Sequence, residues 1–330
     1  PGMDEEAGVI ALILRQVLET PSKTAALITP DRRLARRVSS ELGRWGINID
    51  DSAGIPLQQT VSGSFLRLTA KLVSDNFLPI DLLAIGKHPL AAGKMQPVVF
   101  RQLIRKLEIE FIRGPRPAPG IEGLLELLPS GESSLRQMVE FIQSTSAEFC
   151  KVIAKKETPL VDILRAHLLF SESLAYNHAE SGSDRLWLGD DGEALSKFIS
   201  SLLEVGDSLG NIDGLSYSGL LDVLLNGQVA RHNFGSHPRL SIWGLLEARL
   251  QHADLIVMSG LNEGTWPPDV GSDPWMSRPM RKEFGLPSPE RRIGLTAHDF
   301  QQAFSAPEVI MTRSARVDGT PTVPSRWLVR

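Results

Sequence analysis

The sequence predicts an α/β protein in which both ends of the chain contribute to one sheet and the middle forms a separate helical domain. Short apolar runs typical of buried strands occur near both ends, at residues 25–28, 239–244 and 254–260. Between residues 60 and 230 the pattern changes to long amphipathic helices with almost no strand pattern. The chain has 330 residues, which is enough for two domains with sizeable cores.

The first end of the chain has the pattern of a strand–helix–strand unit. An apolar helix over residues 7–19 precedes the strand at residues 25–28, and Asp31 can cap the helix that follows. Three apolar residues of that helix recur at every fourth position and are expected to face the core: Leu34, Val38 and Leu42. Residues 47–51 begin a second extended segment. Strand–helix–strand is the repeating unit of parallel α/β sheets.

The middle of the chain has seven amphipathic helical patterns, at residues 62–75, 79–90, 97–114, 133–153, 159–175, 192–209 and 216–230. After them the strand pattern returns, and a helix near residues 296–304 precedes a last strand near residues 308–315. We therefore expect a discontinuous α/β domain over residues 7–60 and 236–330, with an inserted all-α domain over residues 61–235.

The composition excludes several classes of protein. No run of about 18 apolar residues exists, so we expect no membrane span. The N-terminal residues lack the pattern of a signal peptide, so we expect a cytoplasmic protein. The net charge is −4, which argues against a simple nucleic-acid binder. However, residues 21–45 carry six basic and two acidic side chains, and residues 271–330 carry nine and six, so both ends are basic.

No pattern in the sequence amounts to a complete catalytic site. The two Gly-Lys pairs in residues 86–95 fail the phosphate-loop spacing, because Met95 stands where Ser or Thr is required. The seven histidines show no zinc-binding spacing, and Cys150 is the one cysteine. We find neither a Ser-His-Asp arrangement nor a nucleophile elbow. The expectation is a protein with no catalytic residues and no metal site.

One loop is specific enough to suggest a family. Residues 254–269, DLIVMSGLNEGTWPPD, place an apolar strand before a polar glycine-rich loop with Gly260, Asn262, Glu263 and Gly264. This loop resembles the end of the fifth motif in the second motor domain of superfamily 1 DNA helicases. Within that superfamily it looks most like AddB, the nuclease-carrying subunit of bacterial AddAB helicase–nucleases. Four further stretches resemble AddB in the same order, namely residues 25–60, 82–93, 272–304 and 312–328.

The resemblance implies a RecA-like, P-loop NTPase-type fold similar to the helicase 2A domain, interrupted by a 2B-like helical domain. It also implies an inactive motor. Residues 241–257 lack the Lys-Gly-Leu-Glu run of active members. Glu290, Arg291 and Arg292 match the sixth motif, but Phe300 stands where active members carry an arginine that stabilises the transferring phosphate. The family's nuclease metal and iron–sulfur cluster would lie outside these residues, so we expect no cofactor here.

The resemblance further implies a part in double-strand break repair by homologous recombination. The expected task is to bind and scan the single DNA strand leaving the partner motor, an AddA-type subunit, including the hotspot called Chi. Basic and aromatic side chains are the usual contacts of a single strand. The candidates are Arg32, Arg33, Arg36, Trp266, Arg313 and Arg316. The alternative is a scaffold that docks the motor subunit with little DNA affinity of its own. We expect these residues alone to be monomeric.

Overall fold

The computed structural model describes residues 1–114, 117–231, 237–269, 271 and 273–329. The helices, in chain order, are α1 (Met3–Val17), α2 (Arg32–Gly43), α3 (Val61–Ser74), α4 (Pro79–Gly86), α5 (Pro97–Leu107), α6 (Gly120–Leu127), α7 (Ser133–Ile153), α8 (Leu160–Ala175), α9 (Gly182–Leu186), α10 (Gly189–Val205), α11 (Tyr217–Asn226), α12 (Leu245–Ala248), α13 (Arg278–Glu283), α14 (Arg291–Phe304) and α15 (Arg326–Val329). The strands are β1 (Ala25–Ile28), β2 (Asp50–Asp51), β3 (Ile55–Pro56), β4 (Thr158–Pro159), β5 (Asn211–Ile212), β6 (Val229–Ala230), β7 (Leu240–Trp243), β8 (Leu255–Met258), β9 (Glu308–Met311), β10 (Arg316–Val317) and β11 (Thr320–Pro321).

The chain divides into two units. Unit 1 joins Pro1–Ala53 to His232–Arg330, and unit 2 is Gly54–Arg231. The first division falls a few residues before position 60, where the sequence-based boundary was placed. The second sequence-based boundary, between residues 235 and 236, lies outside the described residues.

Unit 1 is built on a parallel sheet with the strand order β2-β7-β1-β8-β9. All four neighbouring pairs in this sheet are parallel, with Ala25 of β1 opposite Leu240 of β7 on one side and Leu255 of β8 on the other. The sheet therefore joins strands from both ends of the sequence. The prediction of an α/β protein with a parallel sheet is confirmed.

The two faces of this sheet have separate cores, because successive side chains of a strand point to opposite sides. Ala25 and Leu27 pack on one face with buried residues of α1 and α2. Ala26 and Ile28 pack on the other face with Trp266 and with residues of α14. The α2 helix begins as the sequence predicts, since Asp31 Oδ1 accepts hydrogen bonds from the backbone N–H groups of its first turn.

Unit 2 consists mainly of helices, α3 to α11, around one apolar core. The all-α expectation for residues 61–235 differs from the structure at three short strands, because β4 pairs antiparallel with β5, and β6 pairs antiparallel with β3, which precedes residue 61. Each pairing joins only two residues per strand, which is too short to give a period-two pattern in the sequence.

A buried polar network crosses the core of unit 2. His167 is fully buried, and its Nε2 lies 2.8 Å from Thr69 Oγ1 while its Nδ1 lies 2.8 Å from the hydroxyl of Tyr217. Its ring stacks on Phe149, with 4.9 Å between centroids. Burial lowers the pKa of His167 to about 3, so the folded protein holds this ring neutral.

This neutral histidine makes stability depend on pH. Between pH 6.5 and about 3 the unfolded chain binds a proton at His167 and the folded chain does not. The free energy of unfolding should therefore fall as pH decreases through this window, by about 1.4 kcal/mol per pH unit from this group. Urea denaturation of wild type and His167→Gln at pH 7 and pH 5 checks this. We expect the difference in stability between the two proteins to shrink at pH 5, and an unchanged difference would contradict the assignment.

Candidate nucleic-acid interface

The loops of unit 1 that the sequence singled out meet at the carboxyl edge of the parallel sheet. There β1 leads to Thr29, β8 leads to Ser259 and Gly260, and β9 leads to Thr312. The carboxyl ends of parallel strands are where α/β proteins place their ligand sites. The candidate interface is therefore built from the residues that follow these strands.

Glu6 of α1 ties two of these strand ends together. The side chain is 6 % exposed, and its Oε1 accepts hydrogen bonds from the Gly260 N–H at 2.9 Å and from Thr312 Oγ1 at 2.7 Å. Its Oε2 is buried and accepts no hydrogen bond from the described residues. Gly260 has φ +70°, in the left-handed region that favours glycine, so the loop can turn back beneath Glu6.

Asn262 is the centre of the loop after β8. It is 6 % exposed, its Nδ2 donates to Ser314 Oγ at 3.2 Å, and its Oδ1 accepts from Arg313 Nε at 3.1 Å. Arg313 also donates through Nη2 to the Thr322 carbonyl at 3.2 Å. The Arg313 guanidinium thus joins three loops of unit 1. That role leaves it poorly placed to be a DNA contact.

Removing the Asn262 amide should cost stability. Asn262→Ala would leave the buried Ser314 hydroxyl and one Arg313 donor without their partner, which costs about 1–3 kcal/mol. Urea denaturation measures the loss. The matched control is Asn48→Ala, an exposed asparagine of unit 1, which should change stability by less than about 0.5 kcal/mol. Equal effects of the two substitutions would contradict the role given to Asn262.

Glu263 and Gly264 complete the loop. Glu263 Oε1 accepts from Arg326 Nε at 2.8 Å, and this interaction lowers the pKa of the Glu263 carboxyl. Gly264 has φ +85°, and a Cβ there would lie 3.2 Å from Asp269 Oδ2. Both residues stabilise the local chain path, so these motif positions act here through structure.

Trp266 is fully buried and offers no ring face to a DNA strand. Its Nε1 donates to the Ser259 carbonyl at 3.0 Å, and its ring makes edge contacts with Phe300 and Trp327 at centroid distances of 5.8 and 6.3 Å. This packing removes Trp266 from the candidate DNA contacts. Phe300, at the position of the missing motor arginine, belongs to the same aromatic cluster.

A cavity of about 220 Å³ opens at this edge of the sheet. Its charged lining residues are Glu6, Asp31, Arg33 and Glu263. Three carboxylates against one guanidinium disfavour a phosphate group in the cavity. In the described ranges of the chain, no group of three or more His, Cys, Asp or Glu side chains is placed to hold a metal ion.

The predicted arginines of α2 differ in their surroundings. Arg32 forms an ion pair with Asp51, and Arg33 donates to both carboxylate oxygens of Asp318 at 3.0 and 3.1 Å. Arg36 is exposed, and its Nε donates to the Arg32 carbonyl at 3.2 Å. Arg32 and Arg33 are thus both ion-paired within unit 1, and the Arg33 side chain is the more exposed of the two, at 52 % against 34 % for Arg32.

Arg316 lies on β10, in the same hairpin as Asp318, and its side chain is exposed. The Arg33–Asp318 ion pair joins this hairpin to α2. Three exposed guanidinium groups of the prediction therefore belong to adjoining elements, and we call them the arginine surface: Arg33, Arg36 and Arg316. Of the sixth-motif residues, Glu290 forms an ion pair with Arg278 at 2.7 Å, and Arg291 and Arg292 are exposed at the start of α14.

The structure also shows an aromatic residue that the sequence analysis did not select. Trp275 is 87 % exposed, and Phe284 is 68 % exposed. Asp273 fixes the turn that presents Trp275, since its Oδ1 accepts from the Trp275 N–H at 2.9 Å and its Oδ2 accepts from Arg281 Nη1 at 2.6 Å.

We call residues 273–292 the aromatic–basic segment. It carries five basic side chains, at Arg278, Arg281, Lys282, Arg291 and Arg292, against three acidic ones. The sequence feature that could have indicated this site is Trp275, an aromatic residue followed by a basic run and flanked by prolines. The sequence analysis selects Trp266 instead, because that tryptophan lies in the loop that resembles the helicase motif.

A comparison with known proteins reports a distant relative of this chain. No protein-family profile matches the chain. An uncharacterized protein of Rickettsia felis is 23 % identical over 330 residues, which is 99 % of this chain and 34 % of that protein. The chain therefore spans about a third of the length of this relative. Within the described residues, no helix has both the length and the apolar character needed to cross a membrane.

Proposed function

We propose that this chain is an AddB-type segment of a longer protein, with a RecA-like, 2A-type unit 1 and a 2B-like unit 2. Three observations support the proposal. The sheet of unit 1 is parallel and combines both ends of the chain. The Gly260–Gly264 loop follows a central strand at the carboxyl edge. The relative from Rickettsia felis is about three times longer than this chain.

The proposed task is to bind a single DNA strand within a cytoplasmic helicase–nuclease that processes double-strand breaks. In this proposal, an AddA-type partner supplies the motor, and the present residues hold no ATPase or nuclease centre. Recognition of a hotspot sequence such as Chi would be part of the same binding. The observation that carries strand binding is Trp275, a tryptophan that is 87 % exposed and belongs to the aromatic–basic segment, which has five basic and three acidic side chains.

The physical basis is a combination of stacking and charge. A base that stacks on an aromatic side chain contributes about 1–3 kcal/mol to binding with little dependence on sequence. Arginines that contact phosphates release counterions, which makes the affinity fall with salt. Trp275 would provide the stacking surface. The aromatic–basic segment and the arginine surface would provide the phosphate contacts.

The arginine surface has a direct test. Arg33→Gln with Arg36→Gln should make the slope of log K against log salt shallower by about 1.4, since each phosphate contact on a single strand contributes about 0.7. Fluorescence anisotropy with a labelled oligothymidylate measures K across the salt series. The control pair is Arg165→Gln with Lys156→Gln, which removes two exposed charges from unit 2. If both pairs leave the slope unchanged, the strand does not contact the arginine surface.

A scaffold that docks the motor subunit is the second candidate function. It is favoured by an apolar cavity of about 340 Å³ in unit 2, lined in part by Leu78, Ile80 and Ile112. Ile80 is 72 % exposed there. Exposed apolar surface of this kind is typical of protein contacts. Co-purification of a candidate motor subunit with wild type and with Ile80→Asp tests the scaffold function separately from DNA binding.

A further inference from the structure

A second concentration of positive charge lies in unit 2, around a cavity of about 430 Å³. Its lining consists of four cations, one carboxylate and one apolar residue, namely Lys87, Arg101, Arg105, Arg113, Glu108 and Ile109. Lys87 follows α4, Arg101 and Arg105 lie on α5, and Glu108 and Ile109 belong to the π-helical turn Glu108–Ile112. We call this site the basic pocket.

The one carboxylate of the pocket is already engaged. Glu108 is largely shielded from solvent, with Lys87 Nζ at 2.6 Å from Oε2 and Arg113 Nη2 at 3.0 Å from Oε1. The hydrogen bonds from Lys87 and then Arg113 lower the pKa of Glu108, so this group is ionised at neutral pH. Its single negative charge balances only part of the positive charge around it.

Arg101 and Arg105 are the cations that this carboxylate does not balance. Both are exposed, and neither makes an ion pair or a side-chain hydrogen bond with any described residue of the chain. They are four residues apart on α5, so their side chains are neighbours on one helix face. Like charges at this spacing destabilise a helix. The pocket thus contains two adjacent guanidinium groups that no carboxylate of the described residues pairs with.

We propose that the basic pocket binds phosphate groups, with Arg101 and Arg105 as the direct ligands. A guanidinium presents a planar fork of donors that matches the oxygens of a phosphate. Lys87 and Arg113, both paired with Glu108, add positive charge to the lining, and Ile109, which is 52 % exposed, adds an apolar side chain. The phosphate comes either from the backbone of a nucleic acid or from a small phosphorylated ligand. The proposal concerns unit 2 alone and does not depend on strand binding by unit 1.

The test compares Arg101→Gln with Arg105→Gln, as a double variant, against the control pair Arg165→Gln with Lys156→Gln. Isothermal titration calorimetry with inorganic pyrophosphate tests a small ligand, and anisotropy with a labelled oligothymidylate tests a strand. We expect the double variant to lose at least about tenfold in affinity for one or both probes, because each charged hydrogen bond is worth about a factor of ten. The control pair should bind as wild type does. Circular dichroism melting verifies that every variant is folded.

Pyrophosphate and the oligothymidylate distinguish the two possible sources of the phosphate, a small ligand and a nucleic-acid backbone. A loss confined to pyrophosphate assigns the pocket to a small phosphate. A loss for the oligonucleotide, with a salt slope shallower by about 1.4, assigns it to a nucleic-acid backbone. The proposal is overturned if wild type binds neither probe, or if the double variant binds both as tightly as wild type. The Arg33 and Arg36 variants report on unit 1 separately, so either proposal can fail while the other stands.

Discussion

Trp266→Ala is expected to lower the free energy of unfolding by about 3–5 kcal/mol, the usual cost of truncating a buried large aromatic side chain. The ring is fully buried between Phe300 and Trp327, and the indole N–H donates to the Ser259 carbonyl. The substitution removes these contacts and leaves a cavity on the second face of the sheet. Chemical denaturation, followed by circular dichroism, measures the loss.

Trp275→Ala provides the matched control for stability. The same side chain is removed, but from a position that is 87 % exposed, so the change should be within about 0.5 kcal/mol. A loss of several kcal/mol at Trp275, or a negligible loss at Trp266, would contradict the placement of the two tryptophans.

Trp275→Ala, which should hardly change stability, is the substitution that should weaken DNA binding. Trp275→Ala should weaken binding of a single strand by about 5- to 150-fold, which corresponds to about 1–3 kcal/mol for one stacked base. The salt slope should stay the same, because the indole contacts no phosphate. Anisotropy titrations with a labelled oligothymidylate give both quantities.

Two further substitutions at tryptophan positions test whether stacking on Trp275 is the cause of the lost affinity. Trp275→Phe keeps an aromatic ring and should retain most of the affinity. Trp45→Ala removes a tryptophan that is 44 % exposed and lies beneath Arg15, away from the aromatic–basic segment in sequence. It should bind as wild type does. An equal loss in Trp45→Ala would show a general effect of hydrophobic surface instead of stacking at Trp275.

The elements that the sequence predicts well are those that local residues decide. The apolar run of β1, the capping by Asp31 and the spacing of Leu34, Val38 and Leu42 lie within 18 residues of one another, and the structure confirms all three. The sequence also predicted that strands from both ends of the chain share one sheet, because parallel strands require crossover connections and the strand pattern occurs at both ends. It did not predict the order of the strands.

The roles of single side chains in the candidate interface could not be predicted in this way. Whether a tryptophan is buried depends on residues distant in sequence, and Trp266 is covered by Phe300 and Trp327. Likewise, the sequence alone suggests that Arg313 is an exposed cation. Its hydrogen-bond partner Asn262 lies 51 positions earlier, and no local pattern connects the two residues. No sequence pattern distinguishes Glu6, yet its side chain accepts a hydrogen bond from the backbone N–H of Gly260, 254 positions later.

The most direct test of the central claim is the affinity of the whole 330-residue chain for a single DNA strand at low salt, in wild type and in a triple variant. The triple variant combines Trp275→Ala, Arg33→Gln and Arg36→Gln. We expect wild type to bind with an affinity that falls with salt, and the folded triple variant to lose most of that affinity. Absence of binding by wild type at the lowest salt, or equal binding by the two proteins, would contradict strand binding by unit 1.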